Sequence, residues 1–352
     1  MDQQKLSSPF LYDGIDWRPI ETYIRKNIKD LPNESIEVKK FSAGYSNLTY
    51  LIKMGDWEAI FRKPPLGYIP PKAHDMKREY MILKRVSPVF PLAPTPYLYS
   101  ENPAIMDQHF YVMEKKEGIV LNDHIPKEFE KFDIIGESVS KSVVKTLVRL
   151  HEIDYKAAEL EDIGRPEGYL ERQVKGWINR YEKVKTDDIP LVSELEQWLS
   201  LNIPHSVEST IVHNDFKINN LMLNSDDPSE VTGVFDWEMC TIGDPLTDIG
   251  SALAYWMEPG DLETGLSAVT NTPGFISRKQ FLELYTKSTN RDLSNIDYYL
   301  TFAFYKIAVI LQQIYYRWKQ GKTDDDRFAS LNIGIENLML QAHRAKQKEV
   351  LR

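Results

Sequence analysis

Cysteine is nearly missing from this 352-residue chain: Cys240 is its only one. No disulfide can close within the chain and no zinc site can be built from thiolates, the pattern expected of a reducing compartment. Long apolar runs are missing too. The opening Met1-Asp2-Gln3-Gln4-Lys5-Leu6 has no apolar stretch of the secretory kind. The most apolar segment, Tyr298 to Ile314, contains Lys306, Gln312 and Gln313 and is too short for a bilayer, so a buried helix is expected there. The closing Glu349-Val350-Leu351-Arg352 carries no lipidation or peroxisomal signal. A basic excess is also absent. Lys and Arg number 43 against 52 Asp and Glu, a net charge of -9, which argues against a nucleic-acid partner. These absences point to a cytoplasmic protein with neither a membrane nor a nucleic acid as partner. What is present is globular in composition, 42% hydrophobic and 27% charged, and long enough for one large two-lobed domain or two ordinary ones.

The order of patterns is informative. Over residues 1–115 the chain reads mostly as strand. A short amphipathic helix is expected over Trp17 to Ile28, then strands over Ile36 to Phe41, Leu48 to Met54 and Trp57 to Arg62. Helical spacing follows from Ala73 to Val86, and another strand runs from Phe110 to Glu114. Over 116–352 helices dominate, interrupted by a β-like stretch from Thr210 to Val234. Strands followed by helices argue for an α+β fold, with a small β-rich N-lobe (1–115) and a larger, mostly helical C-lobe (116–352).

The segment Ile211-Val212-His213-Asn214-Asp215-Phe216-Lys217-Ile218-Asn219-Asn220-Leu221-Met222-Leu223 carries the chemistry. Between two apolar strands it places His-x-Asp, with Asn five residues beyond the Asp, the spacing of a kinase catalytic loop. Sixteen residues past Asn220, Val234-Phe235 runs into Asp236-Trp237-Glu238, where kinases keep the Asp of Asp-Phe-Gly. Phosphoryl transfer needs a carboxylate to orient the attacking hydroxyl and accept its proton, the role expected of Asp215. It also needs hard oxygen ligands for Mg²⁺, for which Asn220 and Asp236 are the candidates. His213 is expected as a brace. The small-residue turn Ser42-Ala43-Gly44-Tyr45-Ser46-Asn47 lies between two strands and is either a phosphate cradle, through Ser42, Gly44, Ser46 and Asn47, or an ordinary hairpin turn. Strand alternation puts Ile60 and Arg62 on one face, where Arg62 can hold phosphate oxygens and Lys63 cannot. Glu79 is expected to pair with Arg62, or else to be a solvated helix residue. Gly321-Lys322-Thr323 is no P-loop, because Tyr316 stands where its first glycine is required and a helix precedes it.

With these residues placed, the chain resembles the aminoglycoside phosphotransferase and choline kinase superfamily. It looks most like the group that includes the kinase-like domain attached to certain acyl-CoA dehydrogenases. The carrying stretches are Phe41 to Tyr50, Arg78-Glu79-Tyr80, Tyr111-Val112-Met113-Glu114 and Leu150-His151-Glu152-Ile153-Asp154. His213-Asn214-Asp215 through Asn220, Phe235 to Glu238 and Gly243-Asp244-Pro245-Leu246-Thr247-Asp248 complete them, and the resemblance spans about residues 36 to 320. It implies a protein kinase-like fold, ATP or GTP as phosphate donor, Mg²⁺, and a small-molecule hydroxyl as acceptor. It implies that Met113, Glu114 and Lys115 hold adenine through backbone groups, that Lys217 touches phosphate, and that Asp244 and Asp248 brace the catalytic loop. Departures from the pattern are Asn214 where many members have Gly, Ala43 in the turn, and Arg62 for Lys. The changes at Ala43 and Arg62 motivate an alternative, a pseudokinase-type nucleotide-binding module. Acceptor specificity is expected from Gln173, Trp177, Arg180, Tyr255, Trp256 and Tyr305. An acidic aromatic pocket would suit a choline-like cation, and a basic one an acyl-CoA or another phosphorylated acceptor. Arg172, Lys175 and Arg180 at helical spacing tilt the expectation away from aminoglycosides.

Overall fold

The computed structural model describes residues 11–41, 47–65, 75–266, 268–323 and 325–352. The chain divides into two units, Met1–Glu117 with Gly233–Glu238, and Gly118–Thr232 with Met239–Arg352.

The first unit opens with a small antiparallel pair, β1 (Leu11–Tyr12) and β2 (Ile15–Asp16). Helix α1 (Trp17–Asn27) starts where the Asp16 side chain accepts the Arg18 N–H, and it ends on Arg25 and Lys26, which suit a helix C-terminus. Its buried residues Trp17, Ile20 and Ile24 form one stripe. Strands β3 (Glu37–Lys40), β4 (Leu48–Met54) and β5 (Trp57–Lys63) follow, and then helix α2 (Met76–Val86), capped by Asp75 on the Arg78 N–H. Strands β6 (Pro96–Ser100) and β7 (Phe110–Glu114) complete an antiparallel sheet of order β3-β4-β5-β7-β6. Its core is aromatic: Trp17 meets Phe61 edge-on at 4.9 Å, and Phe61 stacks on Phe110 at 4.8 Å. Strand β6 was not expected from sequence, because Pro96 disfavours a strand. It is an edge strand with a register shift between Pro96 and Leu98, where a proline is tolerated.

The second unit begins with β8 (Ile119–Val120), then α3 (Ile135–His151), α4 (Tyr169–Val184) and α5 (Val192–Leu201). The β interruption comprises β9 (Thr210–Val212), β10 (Leu221–Leu223), β11 (Val231–Val234) and β12 (Thr241–Gly243). β10 pairs with β8 and β12 with β9, both antiparallel. Helices α6 (Pro245–Tyr255), α7 (Arg278–Thr289), α8 (Ile296–Lys319) and α9 (Leu331–Lys346) close the chain. The segment expected as a buried helix is the middle of α8, whose residues from Tyr298 to Val309 are buried all round. No helix among the described residues is long and apolar enough to cross a membrane. α6 lies close against α8 because Gly250 has no side chain: a Cβ there would stand 2.6 Å from the Tyr299 carbonyl oxygen.

Candidate functional site

In the first unit, sheet alternation aims Arg62 of β5 at α2. Its Nη1 donates to Glu79 Oε1 at 2.6 Å and its Nη2 to Asp236 Oδ1 at 3.1 Å. Lys63, one residue on, donates instead to Gln108 at 2.7 Å. Arg62 is 9% exposed and Glu79 1%. Burial opposes the Arg62 charge, but the neighbouring carboxylates, Glu79 first, outweigh it and hold its pKa well above the usual arginine value. Burial likewise pushes the Glu79 carboxyl up, against the pull of Arg62. Asp236 is fixed by its neighbours. Val234 N–H donates to the Leu92 carbonyl at 2.8 Å, Trp237 Nε1 donates to the Val234 carbonyl at 2.8 Å, and the Trp237 ring meets Phe90 edge-on. Asp236 itself sits at φ 68°, a left-handed backbone costly for a non-glycine residue, so the surrounding contacts hold it there.

In the second unit, β9 leads directly into the loop His213–Asn220. Asp248, fully buried on α6, accepts the His213 N–H on Oδ2 and the Asn214 N–H on Oδ1, each at 2.6 Å. His151 Nε2 lies 3.3 Å from the same Oδ2, and His151 Nδ1 lies 2.8 Å from the Tyr285 hydroxyl. Arg291 Nη1 donates to that same hydroxyl at 2.9 Å. Burial would raise the Asp248 pKa, but hydrogen bonds and charge from His151 and His213 lower it. Asn214 is held through four atoms. Its amide goes to Asp248, its carbonyl accepts Lys306 Nζ at 2.6 Å, its Oδ1 accepts the Tyr169 hydroxyl at 2.7 Å, and its Nδ2 donates to Met239 O at 3.0 Å. Its φ of 65° explains why glycine is a natural alternative at this position. Of the two carboxylates expected to brace the loop, Asp248 does so. Asp244 instead caps α6 on the Leu246 N–H and accepts the Tyr299 hydroxyl at 2.7 Å.

Asp215 follows with its side chain 16% exposed. Asn220 Nδ2 donates to its carbonyl at 2.8 Å and to its Oδ2 at 3.0 Å, and Lys217 Nζ lies 2.8 Å from that Oδ2. Facing two oxygens, the Asn220 amide must present its nitrogen to them, and its own Oδ1 has no hydrogen-bond partner among the described residues. Lys217 Nζ also lies 4.9 Å from the centre of the Tyr255 ring. Lys306 is buried within α8. Burial depresses its pKa, Asp215 and Asp248 pull it back, and Lys217 and Arg180 act on it as like charges. The Trp177 ring carries two cations, Arg180 Cζ at 4.5 Å and Lys306 Nζ at 5.6 Å from its centre. Of the other acceptor candidates, Trp256 is committed to the helical core, donating to Ile276 O at 2.8 Å. Tyr305 donates to Glu196 at 2.6 Å.

Ser42, Gly44 and Ser46 lie outside the described residues, while Asn47 is buried just before β4. Met113 and Glu114 end β7, opposite Ile60 and Ala59 of β5. The Glu114 N–H is committed to the Thr95 carbonyl at 2.8 Å, and its carboxylate accepts Lys116 Nζ at 2.8 Å. Lys115 Nζ reaches Glu58 at 2.6 Å. Sequence reasoning missed His151 beyond its place in a family stretch, and also Lys306, Tyr169, Tyr285 and Arg291. Only Lys306 left a signal, a lone charge inside an apolar helix. Among the described residues no group of three or more His, Cys, Asp or Glu is arranged to hold a metal.

Comparison with known proteins bears on this geometry. A family model described as the phosphotransferase enzyme family matches residues 37–270. Acyl-CoA dehydrogenase family member 10 of Mus musculus is 31% identical over 307 residues, covering 86% of this chain and 28% of that protein. Acyl-CoA dehydrogenase family member 11 of Mus musculus is 31% identical over 335 residues, covering 90% and 42%. The chain therefore spans less than half the length of these relatives. Among solved structures, a candidate aminoglycoside phosphotransferase from Ralstonia eutropha JMP134 has a TM-score of 0.78 at 25% identity, covering 94% of this chain and 98% of that one. Choline kinase from Cryptosporidium parvum Iowa II has a TM-score of 0.63 at 16%, covering 94% and 97%. Aminoglycoside phosphotransferase APH(4)-Ia, in ternary complex with AMP-PNP and hygromycin B, has a TM-score of 0.61 at 14%, covering 93% and 98%. The α+β, protein kinase-like fold expected from sequence is the observed one.

Proposed function

The chain belongs to the phosphotransferase enzyme family, and on that premise we propose that it moves the γ-phosphate of ATP or GTP to a hydroxyl of a small molecule. The observation that carries this reading is the state of Asp215. Its loop is pinned by Asp248, its carboxylate is steered by Asn220 and Lys217, and it is still partly open to solvent. A carboxylate so held is pre-positioned to orient an attacking hydroxyl. In the transfer, the acceptor oxygen bonds to the γ-phosphorus as the bond to the β-phosphate bridging oxygen breaks. The hydroxyl proton passes to Asp215, and the nucleoside diphosphate leaves.

Asn220 Oδ1 and the Asp236 carboxylate are hard oxygen donors of the kind Mg²⁺ takes, and they would be its protein ligands, the ion keeping phosphate and water oxygens besides. Bound there, the ion would neutralise phosphate charge. Arg62, oriented by Glu79, would hold phosphate oxygens with its fork. Ser42, Gly44, Ser46 and Asn47 would form the phosphate turn, Met113 to Lys115 would hold the base, and Lys217 would meet the transferred phosphate. The AMP-PNP carried by one fold neighbour supports nucleotide as donor. Residues 1–115 would form the nucleotide lobe, 116–352 the catalytic and acceptor lobe, and the reaction would take place in the cytoplasm.

The test is nucleotide turnover with Mg²⁺ or with EDTA, in wild type and Asp215→Ala. Metal-dependent turnover reduced about 10²-fold or more by the substitution is expected. Full transfer by Asp215→Ala to a confirmed acceptor would sink the mechanism. Nucleotide binding without any metal-dependent transfer would establish the binding-module alternative.

A further inference from the structure

The positive charge gathered around Asp215 exceeds what its own carboxylate uses. Lys217 already pairs with it. Lys306 is buried behind the loop, within electrostatic range of Asp215, Lys217 and Arg180 at once. The other nearby carboxylate, Asp248, is spent on two backbone amides and His151. That leaves Arg180 of α4. It is exposed, and among the described residues its guanidinium has neither a carboxylate nor a hydrogen-bond acceptor. It lies instead on the face of Trp177, the ring shared with Lys306. The Trp177 indole N–H is buried and donates to nothing among the described residues, a second unspent donor in the same cluster. A planar guanidinium held on an aromatic face presents its fork of N–H groups at its edge, a shape that matches carboxylate or phosphate. A cationic acceptor would meet Arg180 and Lys217 as like charges.

We infer that the acceptor is an organic anion, a hydroxyl compound whose carboxylate or phosphate group is received by Arg180, and that amino sugars and choline-like alcohols are rejected. The inference rests on the phosphotransferase reading for the word acceptor. The anion site itself stands on the geometry.

The test measures binding, with Mg²⁺ and ADP present, of glycerate, glycerol 3-phosphate, neutral glycerol, choline and kanamycin to wild type, Arg180→Gln and Arg180→Lys. One or both anions are expected to bind, and whichever does names the group. Glycerol, choline and kanamycin are expected not to. Arg180→Gln should weaken anion binding at least tenfold, and Arg180→Lys should restore part of it. Tighter binding of either cation, binding of no anion, or anion binding unchanged in Arg180→Gln overturns the inference. Metal-dependent nucleotide turnover is measured alongside in wild type and Asp215→Ala. If that turnover persists while the anion preference fails, only the acceptor class falls. If anions bind through Arg180 without such turnover, the transferase reading falls and the anion site remains.

Discussion

Substituting Asp248→Asn tests how the loop that carries Asp215 is held. The change keeps the shape of the side chain and removes one acceptor. In the native loop two backbone N–H groups, from His213 and Asn214, each reach a different carboxylate oxygen at 2.6 Å. In the variant one of them must face an NH₂ group. A hydrogen bond to a charged group contributes about 1.5–3 kcal/mol, and a buried donor left unpaired costs about 1–3 kcal/mol. The expected loss of stability is therefore about 2–4 kcal/mol at pH 7. The same change loosens Asp215, one residue past Asn214. A misplacement of about 1 Å at a catalytic group can cost about 10²-fold in kcat, and the nucleotide KM should move little. The pH dependence has a definite sign. Folding lowers the Asp248 pKa, so its contribution is full above the unfolded carboxylate value near ~3.9 and is lost as pH falls through the lower, folded value. The stability gap between wild type and variant should be flat from about pH 5 upward and should narrow below about pH 4. Denaturant unfolding followed by tryptophan fluorescence measures the gap. A variant within about 0.5 kcal/mol of wild type at pH 7, with unchanged kcat, would refute the reasoning.

Three further outcomes are expected. Arg62→Lys replaces a fork that reaches Glu79 and Asp236 at once with a point charge, so the nucleotide KM should rise about tenfold, read from initial rates. Gly250→Ala forces a methyl group to 2.6 Å from the Tyr299 carbonyl oxygen and should lower stability by about 1–3 kcal/mol in a denaturant melt. Tyr285→Phe removes the hydroxyl that joins Arg291 to the His151 ring and leaves the direct bond from Arg291 to the His151 carbonyl, which should cost about 1 kcal/mol and reduce kcat a few-fold while the nucleotide KM stays put.

The parts of the fold that were legible in the sequence are those where one local signal decides. β4 was read at its observed bounds, Leu48–Met54, from its alternation alone. The turning away of Lys63 from the face of Arg62 followed from strand alternation, while the pairing of Arg62 with Glu79 was one of two readings that the structure decides. β6 was hidden because its proline is admissible only at a sheet edge, and an edge is a property of the assembled sheet. The support of the loop was hidden for a similar reason. His151, Tyr285 and Arg291 stand 97, 37 and 43 positions from Asp248 in the chain, and no spacing rule connects them. Lys306 was visible as a charge within an apolar helix, but only the structure shows that its ammonium is spent on the Asn214 carbonyl. Asp244 was grouped with Asp248 by its place in one acidic turn. The helix start separates them, giving Asp244 the cap and Asp248 the loop.

The central claim is tested most directly by following the γ-phosphate itself. Protein incubated with γ-labelled ATP or GTP, Mg²⁺ and an acceptor panel that includes organic anions should move the label into an organic phosphate ester. The transfer should stop on adding EDTA and on Asp215→Ala. Label remaining in the nucleotide under all of these conditions, while the nucleotide is tightly bound, would contradict the account.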